Sequence, residues 1–350
     1  MFEAVVAQAD MLRSRGAVPV VLGVEDEAAA QDAWRLEGVE RHLAPPRGPA
    51  TLAYAPGLRG LLGAAKLDLL HLHGIWQYPV KAAGDWARRT GKLLVVSPHG
   101  MLDPWITSRN AWKKHLARLL WEDAALNQAS LFHALTQSEA ADIERQQPAT
   151  PRVVIPNAAP DAAAAPLSPR GPVALYLGRI HEKKNLGALI AGWLEAHDRL
   201  PADASLIIAG WGDEDGIAAL EQALPQANAA GVEFVGTAFG SQKAALFDLA
   251  RFLVLPSHSE GLPMAILEGW SAGVPSLMSA NCNLPEGFTT GAALDCGTST
   301  ESIASTLVEG FALAGDDWKA MSRAAQDLAC GVFSREAVAS RWEDAYAGLL

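Results

Sequence analysis

A chain of 350 residues, 50% of them apolar and 19% charged, is long and apolar enough to bury two cores, and it is no disordered protein. Its net charge of −11 argues against nucleic acid as a partner, and no run of about 18 uncharged apolar residues offers a membrane span. The three cysteines, Cys282, Cys296 and Cys330, form no C-x-x-C pair and are odd in number, which speaks against a disulfide framework and fits a reducing cytoplasm.

In chain order, Met1-Phe2-Glu3-Ala4 has no basic region ahead of an apolar core and does not read as a signal peptide. Phe2–Arg15 reads as a helix leading to a strand at Pro19–Gly23. Further strands are expected at Leu67–Leu72, Leu93–Ser97, Leu131–Leu135 and Val153–Ile155, with a helix over Trp112–Asn127. From Pro156 to Pro172 the sequence is rich in Pro and Ala without an apolar period and reads as a linker, placed at 159–171. Beyond it, strands are expected at Val173–Leu177, Ser205–Ala209, Val232–Val235, Phe252–Leu255 and Val274–Met278. Helices are expected at Asn185–Ala196, Pro263–Ala272 and Ser334–Leu350, the last with Ser334 as N-cap. This alternation predicts an α/β fold with parallel sheets, as one large domain or two.

Charge favours two. Residues 1–160 hold 17 Lys and Arg against 16 Asp and Glu, whereas residues 161–350 hold 11 against 23. The expected domains are therefore 1–158 and 172–333, with 334–350 as a final helix. An anion site in the acidic half must rest on a few placed cations and backbone N–H groups.

Two stretches meet that requirement. In LGRIHEKKNLGALIAGW, Arg179 and Lys184 follow the carboxyl end of a strand, where open α/β sheets bind ligands, and so are placed to hold a diphosphate. Cations at a helix start oppose the dipole, which weakens their reading as mere solvated charge. In HSEGLPMAILEGWSAGVPS, Glu260 precedes a helix opened by Gly261-Leu262-Pro263, and Glu268 lies inside it. The helix N-terminus would face an anion, flanked by two carboxylates that accept sugar hydroxyls. Two acids on a solvated surface near a helix start are the alternative.

Arg-x4-Lys followed by Glu-x7-Glu, with IIAGWGDEDG and VEFVGTAFGSQKAALFDLARFLVLPS between them, resembles the retaining glycosyltransferases of family 4, the group 1 glycosyl transferases of GT-B fold. The likeness covers nearly all of Val153–Leu350. It implies two Rossmann-like domains facing across a cleft, with the last helix crossing back to the first domain. It implies a hexosyltransferase that uses a UDP- or GDP-sugar without a metal ion or other cofactor. Arg179 and Lys184, with Gly178, would bind the donor diphosphate; Glu268 would contact the ribose and Glu260 the transferred sugar. Gly261 and Leu262 would supply amides, Thr237 and Ala238 would lie near the base, and Gly212 belongs to the same donor site. Arg179, Lys184, Glu260 and His99 carry the implied chemistry.

The first half resembles the acceptor domain of polysaccharide-assembly members through LDLLHLHGIW, VVSPHGMLDPW and the Trp112–Asn127 helix. His99-Gly100 stands where that family places a histidine near sugar and acceptor, and His73, His99, Lys113 and Lys114 are the expected acceptor-side residues. His71 and His73 alternate along one strand and share a face, which suits packing or contacts behind the site; without a third ligand they make a poor metal site. Asp213-Glu214-Asp215 reads as a solvated turn and not as a metal motif. Arg109, Lys113, Lys114 and Arg118 with Trp105, Trp112 and Trp121 read three ways: a receiver for a glycan or lipid-linked acceptor, a contact with an anionic membrane, or an ordinary charged helix face. The expected location is accordingly the cytoplasm, the inner membrane surface included.

The family begins with a strand and a glycine turn before its first helix; here Phe2–Arg15 is already that helix. A chain shortened at its start would lack a central strand and leave two neighbours unpaired, unless a rearranged sheet closes the gap. Ala158 stands after Asn157 where the family commonly has glycine. Rival readings are a nucleotide-sugar epimerase, a relative that binds nucleotide sugar or a partner without turnover, and, least supported for want of an early G-x-G-x-x-G, a dinucleotide oxidoreductase.

Overall fold

The computed structural model describes residues 2–27, 29–30, 32–108, 111–161 and 170–350, with the backbone alone at Ala50 and Trp105. Arg109, the Trp105 side chain and most of the expected linker lie outside the described residues. The chain divides into two compact units, residues 1–157 with 338–350, and residues 158–337.

The first unit contains β1 (Val20–Val24), β2 (Glu40–Ala44), β3 (Leu69–His73), β4 (Leu93–Ser97), β5 (Leu131–Ala134) and β6 (Arg152–Val154). All pairings are parallel, in two separate sheets of order β1-β2 and β3-β4-β5-β6. Among the described residues, the rearrangement that would close the sheet is not formed: β1 and β3 each end a sheet. The apolar runs of β4 and β5 are buried almost throughout, as parallel strands covered on both faces must be. Strand β2 was not expected, because its Glu-Arg-His start is exposed and carries no alternation.

The second unit contains β7 (Val173–Leu177), β8 (Ser205–Ala209), β9 (Val232–Phe234), β10 (Phe252–Leu255), β11 (Ser276–Met278) and β12 (Ala293–Asp295). Its single parallel sheet has the order β12-β11-β10-β7-β8-β9. Renumbered from β7, this is the doubly wound order, with its switch point between β7 and β10. Strand β12 was not expected, its three residues being too short for a pattern, and β11 begins two residues later than the apolar run did. The parallel sheets, two in the first unit and one in the second, the strand–helix alternation and the two units together are the α/β GT-B architecture.

Two of the expected helices bear on the first unit. The Trp112–Asn127 expectation resolves into a continuous helical run, Ala111–Ala117 and Asp123–Leu126 with a π-helical turn at Arg118–Glu122 between them. It is seated against helix Tyr78–Thr90 at Gly84, where a Cβ would come within 2.5 Å of the Ala125 Cα. The final helix is Arg335–Ala347, capped by Ser334, whose Oγ accepts from the Ala337 N–H at 3.2 Å. Its Trp342 and Tyr346 rings lie 5.1 and 6.1 Å from the His71 ring, within the first unit.

Candidate active site

Three loops of the second unit leave the carboxyl ends of β7, β8 and β9 and are bonded to one another. The Gly178 N–H donates to Ala209 O at 3.1 Å, Ile180 N–H to Trp211 O at 2.7 Å and Gly210 N–H to Gly236 O at 2.8 Å. This approach requires glycine: a Cβ on Gly210 would stand 1.9 Å from Gly178 O, and one on Gly212 2.5 Å from Ile180 O. The zippering lays the Arg179 guanidinium over the Trp211 ring, 5.4 Å from its centroid, and 3.4 Å from Asp213. In the third loop Ala238 is buried while Thr237 and Phe239 are exposed.

Across the switch point, the loops after β7 and β10 meet at Lys184 and Glu260. Lys184 Nζ donates to Glu260 Oε1 at 2.5 Å, and Ser257 Oγ donates to the same oxygen at 2.6 Å. The pair is well enclosed, with side-chain exposures of 20% and 9%. Asn185, at φ +59°, ties the lysine loop to Pro256 O and Thr298 O, and Asn283 ties Glu260 O from below. Tyr176 donates to Arg179 O at 2.8 Å; burial, then the Glu260 charge, push its hydroxyl above the usual range, so it stays a donor. The same two causes push the Cys282 thiol up to about 12, leaving it inert.

Glu260-Gly261-Leu262 leads into helix Met264–Ser271. Pro263 lies one position ahead of the helix and not at its first residue, because its ψ of 108° is extended. Glu268, one turn in, is held by Lys243 Nζ at 2.9 Å. Each carboxylate of the motif thus faces a cation, and each charge can exchange that partner for a ligand group at little cost in desolvation.

Asp213 is more than a solvated turn residue. It caps helix Glu214–Ala227 by accepting from the Gly216 N–H at 3.0 Å, and its other oxygen holds Arg179. Lys243, Trp211, Ser257 and Asn283 were not singled out from the sequence; only Lys243, in a helix's first turn where a cation is unfavourable, carried a readable signal.

In the first unit, the carboxyl ends of β3, β4 and β5 carry four histidines in one cluster. His133 Nε2 lies 2.7 Å from Ile155 O; a carbonyl only accepts, so that nitrogen bears the proton. His133 Nδ1 then accepts from Ser97 Oγ at 2.7 Å, and Ser97 accepts in turn from His71 Nε2 at 2.6 Å. His71 Nδ1 is left to accept, from Tyr346 OH at 2.6 Å and Gln8 Nε2 at 3.1 Å. One carbonyl sets the polarity of the whole relay. His71 stacks on His73 at 4.2 Å, and His73 Nδ1 stands 2.9 Å from His99 Nε2.

Burial, then the neighbouring histidines, push His71 and His73 well below the usual imidazole range and His99 down to about 3. Burial holds His133 down to about 4. All four rings are neutral near pH 7. His99 sits at φ +54°, and the following Gly100 N–H donates to Glu139 Oε1 at 2.6 Å, so the strained corner is anchored from helix Gln137–Gln146, which follows β5. His73 and His99 are therefore brought together. Lys113 and Lys114 go elsewhere: Lys113 lies over the Trp112 ring at 5.6 Å and Lys114 donates to Ile106 O at 2.6 Å.

Residues 3–158 match the family model of a glycosyl transferase 4-like domain, and residues 171–329 match that of glycosyl transferases group 1. O-antigen chain mannosyltransferase B of Escherichia coli is 28% identical over 179 residues, 49% of this chain; the match spans 45% of that protein, less than half its length. Among solved structures, HepE of Anabaena in complex with UDP and glucose superposes with a TM-score of 0.78 at 17% identity, over 99% of this chain and 95% of its own. A glycosyltransferase of Rickettsia africae gives 0.75 at 12%, over 99% and 94%. Sucrose-phosphate synthase of Thermosynechococcus elongatus gives 0.67 at 17%, over 95% and 99%. At such identities these likenesses speak for the fold.

Proposed function

The chain belongs to the group 1 glycosyl transferases, with a 4-like first domain, and on that premise we propose that it moves a hexose from a nucleotide-diphosphate donor to a glycan or lipid-linked acceptor. Transfer retains the anomeric configuration and uses no metal ion. The observation that carries the reading is the enclosed Lys184–Glu260 pair at the switch point, with Arg179 beside Trp211 on the neighbouring loop.

The incoming diphosphate takes Arg179 from Asp213 and Lys184 from Glu260. The two cations then meet the charge that grows on the leaving phosphate as the glycosidic C–O bond breaks, a role a divalent ion would otherwise fill. Glu260, released, accepts hydroxyls of the transferred sugar; Glu268 and Lys243 serve the ribose side, and the Thr237–Ala238 loop the base. The acceptor oxygen bonds to the anomeric carbon on the face the phosphate leaves, and its proton passes to that phosphate. His99, neutral at working pH, offers a hydrogen bond to sugar or acceptor and no positive charge. The Escherichia coli relative's name supports a polysaccharide acceptor, and the HepE complexes support a UDP donor, with GDP kept as the other arm of the test. Three unpaired thiols, two of them buried, support a cytoplasmic setting.

Calorimetry with UDP and with GDP, in chelator, beside an Arg179→Ala/Lys184→Ala variant, tests the donor site. Chelator-insensitive binding that the variant loses is the expected result, and binding abolished by chelator overturns the metal-free reading. The break between β1 and β3 favours a second reading, a chain that binds nucleotide sugar without turning it over. Release of nucleoside diphosphate in the presence of glycan acceptor separates the two.

A further inference from the structure

The helical run from Ala111 to Leu126 has a feature the transfer reaction does not use. Its inner side is committed: Ala117, Glu122, Ala125 and Leu126 are buried, and the Gly84 contact leaves no room behind Ala125. Its outer side carries Trp112, Leu116, Leu119 and Leu120, which are 68%, 48%, 70% and 62% exposed. The spacing of i, i+4, i+7 and i+8 puts all four on one helical face. Elsewhere, exposed large apolar side chains among the described residues are scattered, which is ordinary for a folded surface. Four on one stripe is not.

The flanks of the stripe are basic. Lys113 and His115 are exposed beside it, Lys113 with its ammonium over the Trp112 ring, and Lys114 and Arg118 are half-buried next to it. The acids in the run are Asp123, paired with Arg118 at 2.9 Å, and Glu122. Glu122 is fully buried, and burial first pushes it up to about 7. The exposed face therefore presents apolar side chains rimmed by positive charge, on a chain whose net charge is −11.

We infer that this face docks the protein on an anionic bilayer surface, with Trp112, Leu116, Leu119 and Leu120 entering the headgroup boundary and Lys113, Lys114 and Arg118 meeting lipid phosphates. An amphipathic helix with leucines and a tryptophan on one side and lysines at its margins has the form that lies in such an interface. Pairing with a second copy of the same helix would set the basic margins against each other, whereas an anionic surface meets them with opposite charge. The docking helix also reaches the acceptor region. Glu122 Oε1 accepts from the Trp76 N–H at 3.0 Å, and that residue, at φ +76°, lies on the loop that follows His73.

Co-sedimentation of the full chain with phosphatidylcholine vesicles, with and without phosphatidylglycerol, tests the inference. Sedimentation with the anionic vesicles alone, weakened by salt, is expected. Trp112→Ser/Leu119→Ser/Leu120→Ser should lower the partition coefficient roughly tenfold or more, and K113E should lower it at low salt and little at high salt. Since every changed side chain is exposed, thermal unfolding should be unaltered; if the triple variant does not fold, Leu119→Ser and Leu120→Ser singly give the same comparison with smaller losses. No sedimentation with anionic vesicles, or equal sedimentation of the variants, overturns the inference. So does a concentration-dependent dimer that the triple variant abolishes, since a second copy would then own the face.

Discussion

The two polar clusters at strand ends solve opposite problems. In the second unit, charge is held by charge: Arg179 on Asp213, Lys184 on Glu260 and Lys243 on Glu268, in pairs that join separate segments and retain some exposure. In the first unit, polarity is held without charge: His71 and His133 are ordered by Ser97, Tyr346, Gln8 and one backbone carbonyl, and His73 and His99 stack beside them. A pair of opposite charges can be parted by a ligand that supplies the missing charge, so the second cluster is suited to bind and release an anion. The His71–Ser97–His133 relay, in which every ring nitrogen has an assigned role, resists protonation, so the first cluster is suited to present a hydrogen bond of constant sign.

The contrast can be broken most directly at Lys184. Lys184→Ala should cost turnover on the order of 10²–10³-fold, the loss expected when a preorganised charge at a developing oxyanion is removed. Donor affinity, followed by calorimetry, should fall with it; an active variant would mean that the ion pair is structural only. Next comes His99→Ala, expected to lower kcat about 10²-fold while donor affinity stays the same, because His99 belongs to the other unit. A loss of donor affinity equal to the loss in kcat would merge the two clusters into one donor site.

A smaller effect is expected at Ser97. Ser97→Ala leaves the His71 Nε2 proton without an acceptor and His133 Nδ1 without a donor, both buried, at a cost of about 1–3 kcal/mol. Urea unfolding followed by probes in each unit should show the first destabilised and the second unmoved. The smallest effect is one of slope. His133 has a folded value of about 4, below the ordinary 6.5, so between those limits the unfolded chain binds the extra proton and stability falls as pH falls. His133→Asn removes that contribution, and the dependence of stability on pH between about 4 and 6.5 should flatten by up to ~1.4 kcal/mol per pH unit. An unchanged slope would show that His133 is charged in the folded protein, and the derived relay polarity would fail with it.

Much of the fold was legible because it is local. Apolar runs bounded by turn residues placed ten of the twelve strands found among the described residues, four of them, Leu93–Ser97, Val173–Leu177, Ser205–Ala209 and Phe252–Leu255, to the residue. The two missed strands, Glu40–Ala44 and Ala293–Asp295, are short or exposed, and pairing creates them where no periodic signal announces them. The candidate site was legible in its loops: Arg179, Lys184, Glu260 and Glu268 follow strand ends that the pattern had already marked. What those side chains touch was not. Asp213 reads in sequence as a solvated turn and Lys243 was not singled out, because their partners lie 34 and 25 residues away.

The sequence by itself determined the alternation of strand and helix, the uneven charge of the two halves and the family motifs, since each is written in neighbouring residues. Tertiary structure decided the rest, because each remaining property depends on atoms brought together from distant positions. It decided that the first unit's strands form two sheets. It drew His71, His73, His99 and His133 from three strand ends into one neutral cluster, whose His71–Ser97–His133 relay is closed by Gln8 and Tyr346, 338 residues apart. It also turned the Trp112–Leu120 stripe outward. Helical periodicity can place those residues on one face, but only the close seating at Gly84 selects the opposite face for burial.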